Sequence, residues 1–263
     1  MKIGYTRDAN DQEDLGTLLE SVASAGYDGY KLQPGQYEQW LDDPDGFVRT
    51  YGERSRIVSA LLLNGPLDAE RIDLLRSAMQ FIRAVGGKRV VYCYEAEPQS
   101  LTPIDLRVFG HQLSTLGHEA CDHGLALSIH NHYGFPTMYR KNLRVLFEAI
   151  DDESVWWTLD TGHLYKAGEM NIASHIREFR YMIDNVLLLD YGRGQFRSLG
   201  QGEVPFEPVF GALREVNYNG WITVHDEGSL PLDEALAHGL EFVSGGLQRP
   251  QAAEAQQAEA RRR

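Results

Sequence analysis

The chain has 263 residues, of which 43% are hydrophobic and 24% are charged, and its net charge is −13 at pH 7. This composition indicates a globular protein with a sizeable core, and the acidic balance argues against a nucleic-acid partner, which would select a basic face. No apolar run approaches the roughly 18 residues that a membrane span needs, and the N-terminus lacks the apolar segment of a signal peptide. The two cysteines form no metal or disulfide pattern. The sequence therefore predicts a cytoplasmic protein without a membrane partner.

Short apolar segments alternate with helical patterns along the chain. The segments typical of strands cover residues 2–6, 27–33, 56–63, 89–95, 125–132, 155–160, 185–190 and 221–225. Apolar residues at helical spacing lie between them, notably over 69–85, 103–123, 138–150, 172–179, 205–216 and 232–247. Eight strands alternating with helices in about 250 residues predict a fold of the α/β class, a single (β/α)8 TIM barrel over residues 1–247. The polar tail, residues 248–263, is predicted to be a frayed helix or disordered.

The competing fold is a doubly wound open sheet. That fold usually has fewer strands and a phosphate-binding G-x-G-x-x-G after the first strand. No such motif follows residues 2–6, so the closed barrel is the preferred interpretation.

Polar residues cluster where several of the predicted strands end. The fifth strand ends in His130 and His132, both in the phase opposite to its bulky apolar residues. Since side chains alternate faces along a strand, both imidazoles are expected to face the barrel interior. The same alternation turns Asp160 inward at the end of strand six, and His225 and Glu227 inward at the end of strand eight. Barrel active sites lie at the C-terminal ends of the strands, so the sequence predicts a site there.

Histidine nitrogens and a carboxylate oxygen together suit a divalent ion such as Zn, Co or Mn. We predict that His130, Asp160 and His225 hold this ion. As a Lewis acid it would polarise a carbonyl and its neighbouring hydroxyl, while a nearby residue moves a proton at the carbon between them. The alternative is a hydrogen-bonded polar barrel mouth without a metal.

Four segments carry more specific motifs. They are His-Asn-His at 130–132, Asp-Thr-Gly-His at 160–163, Gly-Gln-Gly-Glu-Val-Pro-Phe at 200–206 and Tyr-Asn-Gly-Trp-Ile-Thr-Val at 218–224. In order and spacing they resemble the xylose-isomerase-like superfamily of sugar-phosphate isomerases and epimerases. The resemblance implies a TIM barrel, a sugar-like small-molecule substrate and one divalent metal. It is specific for the superfamily and says little about the reaction.

Some positions depart from the family pattern. The resemblance implies that Asp160 is a metal ligand and that His163 is the substrate-side histidine next to it. His130 and His225 stand where the family carries glutamates, and Leu187 stands where it carries a metal-binding histidine. These changes remove negative charge and favour Zn, Co or Ni over harder ions. Because imidazoles near pH 7 are competent general bases, a metal-free proton-transfer enzyme is also an open interpretation.

The sequence therefore predicts an isomerase or epimerase, or a related dehydratase, that moves a proton next to a carbonyl of a sugar- or polyol-like substrate. The predicted catalytic residues are His130, His163, His225 and Glu227. The predicted substrate-binding residues are Glu95, His132 and Arg193. Arg193 is included because it stands where some ketose epimerases place a substrate-binding arginine, and for Glu95 a salt-bridged position on the rim is the alternative.

Two other functions compete with this one. A binding or sensor barrel with a degenerate site would explain Leu187. Phosphodiester cleavage, as in the endonuclease-IV branch of the superfamily, would require a basic DNA-binding face that a net charge of −13 does not favour. A homo-oligomer is left open.

Overall fold

The computed structural model describes residues 1–97, 101–151 and 153–248, and within them eight parallel strands close into a barrel. The barrel strands are β1 Lys2–Thr6, β2 Gly29–Leu32, β3 Val58–Gly65, β4 Arg89–Tyr94, β5 Ala126–His130, β6 Val155–Asp160, β7 Ile183–Leu188 and, after a hairpin, β10 Trp221–His225. The hairpin consists of β8 Asp190–Gly192 and β9 Gln195–Arg197. Each barrel strand pairs with its neighbours in chain order, and β10 closes the barrel by pairing with both β7 and β1. The predicted TIM barrel is confirmed.

Helices surround this barrel. They are α1 Gln12–Ala25, α2 Pro34–Tyr37, α3 Pro44–Tyr51, α4 Ala69–Ala84, α5 Pro103–Asp122, α6 Arg140–Ala149, α7 Thr161–Lys166, α8 Ile172–Glu178, α9 Phe206–Glu215 and α10 Leu232–Gln248. Side-chain caps fix several of their starts: Asp68 accepts a hydrogen bond from the Arg71 backbone at the start of α4, and Thr102 forms a capping box with Asp105 at the start of α5. Gly26 ends α1 in the left-handed conformation, with φ of 94°.

The barrel interior is polar below its mouth. Ser128 of β5 and Thr158 of β6 are joined by a hydrogen bond of 2.7 Å, and the Thr223 hydroxyl of β10 donates to the Asn185 amide oxygen of β7 at 3.0 Å. All four are buried, so their side chains satisfy one another across neighbouring strands. This layer supports the strand ends above it.

The structure adds elements that the sequence pattern did not indicate. Helices α2 and α3 fill the connection between β2 and β3, and the hairpin lies between β7 and α9. The predicted polar tail lies outside the described residues except for Gln248, the last residue of α10. In the described part of the chain, no helix has the length and apolarity needed to cross a membrane.

Candidate active site at the barrel mouth

Three predicted residues meet around one carboxylate oxygen. Asp160 Oδ2, at the end of β6, lies 3.5 Å from His130 Nε2 at the end of β5 and 3.6 Å from His225 Nδ1 at the end of β10. Asp160 is fully buried and His130 is 2% exposed. Among the described residues, these three atoms have no hydrogen-bond partner. Buried polar atoms are nearly always hydrogen-bonded in folded proteins, so this arrangement is suited to receive a ligand.

The donor set fits a divalent metal. With metal–nitrogen and metal–oxygen distances of about 2.0–2.2 Å, neighbouring ligand atoms of a tetrahedral zinc site lie about 3.4 Å apart. The two distances at Asp160 Oδ2 are 3.5 and 3.6 Å. His163 is also close, since one candidate ligand atom from each of His130, Asp160 and His163 lies within 4.8 Å of the others. Among the described residues, His130, Asp160 and His163 form the compact ligand set, and His225 adjoins it through Asp160 Oδ2.

Local hydrogen bonds hold Asp160 in position. The Asn131 amide brackets its backbone: Nδ2 donates to the Asp160 carbonyl at 3.0 Å, and Oδ1 accepts from the Asp160 N–H at 2.8 Å. The Trp157 indole N–H donates to the same Asn131 oxygen at 3.1 Å. Asp160 also caps α7, because its Oδ1 accepts from the His163 backbone N–H at 2.9 Å. One carboxylate oxygen is thus used structurally, and Oδ2 is left facing the histidines.

Burial sets the charge of this cluster. It lowers the pKa of His130 to about 4 and that of His163 to about 2, although Asp160 acts in the opposite direction. Burial alone would raise the pKa of Asp160, but His163, His130 and His225 hold it well below its usual range. At neutral pH the imidazoles of His130 and His163 are therefore neutral and lie beside the Asp160 carboxylate. This is the protonation state that a metal requires of its ligands.

Two more predicted residues adjoin the cluster. Glu227 Oε1 lies 3.3 Å from His225 Nε2, so His225 stands between the carboxylates of Asp160 and Glu227. Burial raises the pKa of the Glu227 carboxyl, so this group binds a proton more readily than an exposed glutamate does. The ring of His132 lies 4.0 Å from that of His163, centroid to centroid, and burial lowers the pKa of His132. The mouth therefore holds several groups able to exchange protons.

The remaining predicted positions lie further from the cluster. Glu95 directly follows β4 and is half-buried, and its charge raises the pKa of His132 against the larger effect of burial. Arg193 occupies the turn of the hairpin with φ of 53° and is exposed. Leu187 is fully buried and lies beside Asp160 in the strand register, so an apolar side chain occupies the position at which the family resemblance implies a metal-binding histidine.

The sequence did not single out a cationic and aromatic group above His163. The Lys166 ammonium lies 4.8 Å from the Tyr133 ring, 5.7 Å from Tyr191 and 4.9 Å from Phe196. Phe196 in turn packs edge-on against His163 at 5.1 Å. The available signal was helical spacing, since Lys166 follows His163 by three residues and so lies on the same face of α7.

A second missed lysine lies inside the barrel. Lys31 of β2 is 2% exposed, and its ammonium has no hydrogen-bond partner among the described residues. It stands between Tyr30 and Leu32, both fully buried. The available signal was a single lysine in the phase opposite to the apolar residues of a strand.

Comparison with known sequences decides the family. The chain matches the profile described as xylose isomerase-like TIM barrel over residues 19–245. It belongs to this family. The superfamily inferred from the four motifs is thereby confirmed.

Named relatives extend this result. The chain is 25% identical, over 94% of its length and 93% of the relative's, to an inosose dehydratase of Clostridium botulinum. Among solved structures, an IOLI protein described with a bound zinc atom has a TM-score of 0.75 at 18% identity, covering 94% of this chain and 98% of that one. A D-allulose 3-epimerase from Methylomonas sp. has the same TM-score, identity and coverage. At such identity, the structural similarity shows a shared fold.

Proposed function

We propose that this protein moves a proton at the carbon next to the carbonyl of a sugar- or polyol-like ketone, with dehydration of an inosose-like cyclic ketone as the first reaction to test. The observation that carries the proposal is the convergence of His130, Asp160 and His225, whose facing atoms are buried and unpartnered. The inosose dehydratase relative, aligned over 94% of the chain, supports dehydration over epimerisation. A cytoplasmic location is part of the proposal.

We assign His130, Asp160 and His225 as ligands of a divalent metal ion, with His163 as the alternative third ligand. The two imidazoles favour zinc or cobalt over magnesium. When bound there, a divalent ion would supply Lewis-acid polarisation of the substrate carbonyl.

Proton transfer is assigned to Glu227, whose pKa burial raises. Its carboxylate accepts the proton from the carbon next to the carbonyl and delivers it to the hydroxyl on the adjacent carbon, which leaves as water while the C=C bond forms. His163, neutral because burial lowers its pKa, is assigned a hydrogen bond to the reacting substrate. In an epimerase, a proton would instead return to the opposite face of the first carbon. A carboxyl group with a raised pKa can act first as a base and then as an acid.

Substrate contacts are proposed for Glu95, His132 and Arg193. Glu95 and His132 follow neighbouring strands at the mouth, where a polyol hydroxyl can meet a carboxylate and an imidazole. Arg193 would reach the substrate from the hairpin turn, where its side chain is exposed and available.

The test is deuterium exchange by the metal-loaded protein in D2O with inosose and with ketohexoses. NMR is expected to show deuterium at the carbon next to the carbonyl, and mass spectrometry to show loss of one water from inosose. Elemental analysis is expected to find a divalent metal, and chelation to abolish turnover. Absence of exchange with every ketone, together with ligand-induced stabilisation, would favour the binding-protein alternative. Turnover that survives chelation, in a protein free of metal, would contradict the assignment of the metal ligands and leave the proposed reaction standing.

A further inference from the structure

Lys31 carries a buried charge for which neither the fold nor the proposed mechanism has a use. Its side chain is 2% exposed, and Nζ has no hydrogen-bond partner within residues 1–97, 101–151 and 153–248. Buried ammonium groups are normally paired, because removing a charge from water is costly. The position is well fixed, since the Thr6 hydroxyl donates to the Lys31 carbonyl at 2.8 Å.

The barrel geometry aims Lys31 at the candidate site. Tyr30 and Leu32 occupy the opposite phase of β2, so the Lys31 side chain points into the barrel interior. In the order of the closed barrel, β2 lies four strands from β6 in either direction, and it therefore faces Asp160 across the lumen. The charge of Lys31 also acts on His130 and on Cys93 of β4. An ammonium thus lies opposite the unpartnered oxygen of Asp160 without forming an ion pair with it.

A buried ammonium without a partner is suited to donate a hydrogen bond to an oxygen that carries negative charge. In the proposed reaction, removal of the proton next to the carbonyl moves an electron pair onto the carbonyl oxygen. We propose that Lys31 donates a hydrogen bond to this substrate oxygen and stabilises the charge that develops on it, as a further catalytic residue. The inference rests on the proposed function, because only the ketone substrate supplies such an oxygen. Donors already in place for a developing oxyanion are among the larger contributions to catalysis.

The experiment compares the wild type with Lys31→Met, which keeps the length of the side chain and removes its charge. Deuterium exchange is expected to fall about 100-fold or more in kcat, with the bound metal unchanged. The melting temperature is expected to stay the same or rise, because the variant removes an unpaired buried charge. Lys88→Met is the matched control: Lys88 is exposed at the opposite end of the barrel, and its variant is expected to exchange at the wild-type rate.

Three results would overturn the inference. One is kcat for exchange within threefold of the wild type in Lys31→Met. Another is a fall in melting temperature that accounts for the lost activity, since that would make Lys31 a structural residue. If the wild type itself exchanges no deuterium with any ketone, the proposed function fails and this inference fails with it. That result differs from the other two, in which the wild type is active.

Discussion

The two ends of the barrel treat buried charge in opposite ways. At the N-terminal end of the strands, Arg89 of β4 reaches Asp184 of β7: Nε donates to Oδ2 at 2.7 Å, and Nη2 lies 2.6 Å from the same oxygen. The Arg89 guanidinium also lies 6.0 Å from the centre of the Trp221 ring. At the mouth, Asp160 Oδ2 and the Lys31 ammonium have no hydrogen-bond partner in the described part of the chain.

This difference separates stability from function. A buried charge that loses its partner destabilises the fold, so the pair at the base is expected to matter for folding. An unpartnered polar atom at the mouth costs stability and is retained where a ligand will pair with it. In TIM barrels the C-terminal face of the strands carries the chemistry and the opposite face contributes stability. Asp160, which is fully buried, and Asp184, whose side chain is 13% exposed and ion-paired, therefore provide a comparison of the two ends.

The largest effect is expected for Asp160→Asn. The amide keeps the shape of the side chain but removes the anionic ligand, so metal binding and turnover should be lost together. We expect activity to fall about 10³-fold, the scale seen when a group that stabilises transition-state charge is removed. The free energy of unfolding should change much less than activity, because the asparagine oxygen can still accept the hydrogen bond from the His163 backbone N–H that caps α7. Turnover, metal content and thermal unfolding measured on one preparation check this, and a metal-loaded, active variant would contradict it.

The reciprocal change, Asp184→Asn, should affect stability and spare the site. It leaves the Arg89 guanidinium, 12% exposed, without its charged partner. Breaking such a pair is expected to cost about 3 kcal/mol, or roughly 2–4 °C in melting temperature per kcal/mol for a chain of this size. Metal content and kcat at 25 °C should match the wild type. An unchanged melting temperature would show that the base of the barrel does not depend on this pair.

The sequence was enough to predict the barrel and most of its mouth. Alternation along β5, β6 and β10 placed His130, Asp160 and His225 inward, and the structure brings these three together. These inferences succeeded because they depend on local periodicity and on the closure rule of the fold.

Other features depend on distances across the barrel. The position of Lys31 opposite Asp160 results from the closure of the sheet, in which β2 and β6 lie on opposite sides of the barrel. The hairpin strands have three residues each, and the glycines at 192 and 194 give this stretch a sequence pattern typical of a loop. Its Phe196 reaches His163 only after the chain has folded back over the mouth. Sequence periodicity does not encode such contacts.

A third prediction concerns the stability cost of the unpaired cation. Burial lowers the pKa of Lys31 to about 8 in the folded protein, against about 10.4 for an unfolded lysine. Between these values the unfolded chain binds more protons, so this group makes the free energy of unfolding rise with pH. The free energy of unfolding, measured with urea, should therefore rise in the wild type relative to Lys31→Met between about pH 7 and about pH 10. The change in the difference between the two proteins is expected to reach roughly 3 kcal/mol.

The Lys88→Met control should differ from the wild type by a constant amount over this pH range. A constant difference for Lys31→Met as well would mean that the Lys31 ammonium is paired or solvated. The charge of Lys31 would then not differ from the paired charges at the N-terminal end of the barrel.

The smallest effect is expected at Arg193, a cation at the exposed rim of the mouth. Its side chain lies at the hairpin turn in solvent, where a hydrogen bond to a substrate hydroxyl competes with water and contributes about 0.5–1.5 kcal/mol. Arg193→Ala should therefore raise KM about two- to tenfold and leave kcat, metal content and melting temperature unchanged. Gln195→Ala, at the exposed first residue of β9 next to the turn, is the control and should leave KM unchanged. A fall in kcat for Arg193→Ala would instead place this arginine among the groups that act on the reacting atoms. Charge at the rim would then share the role that we assign to the buried lysine.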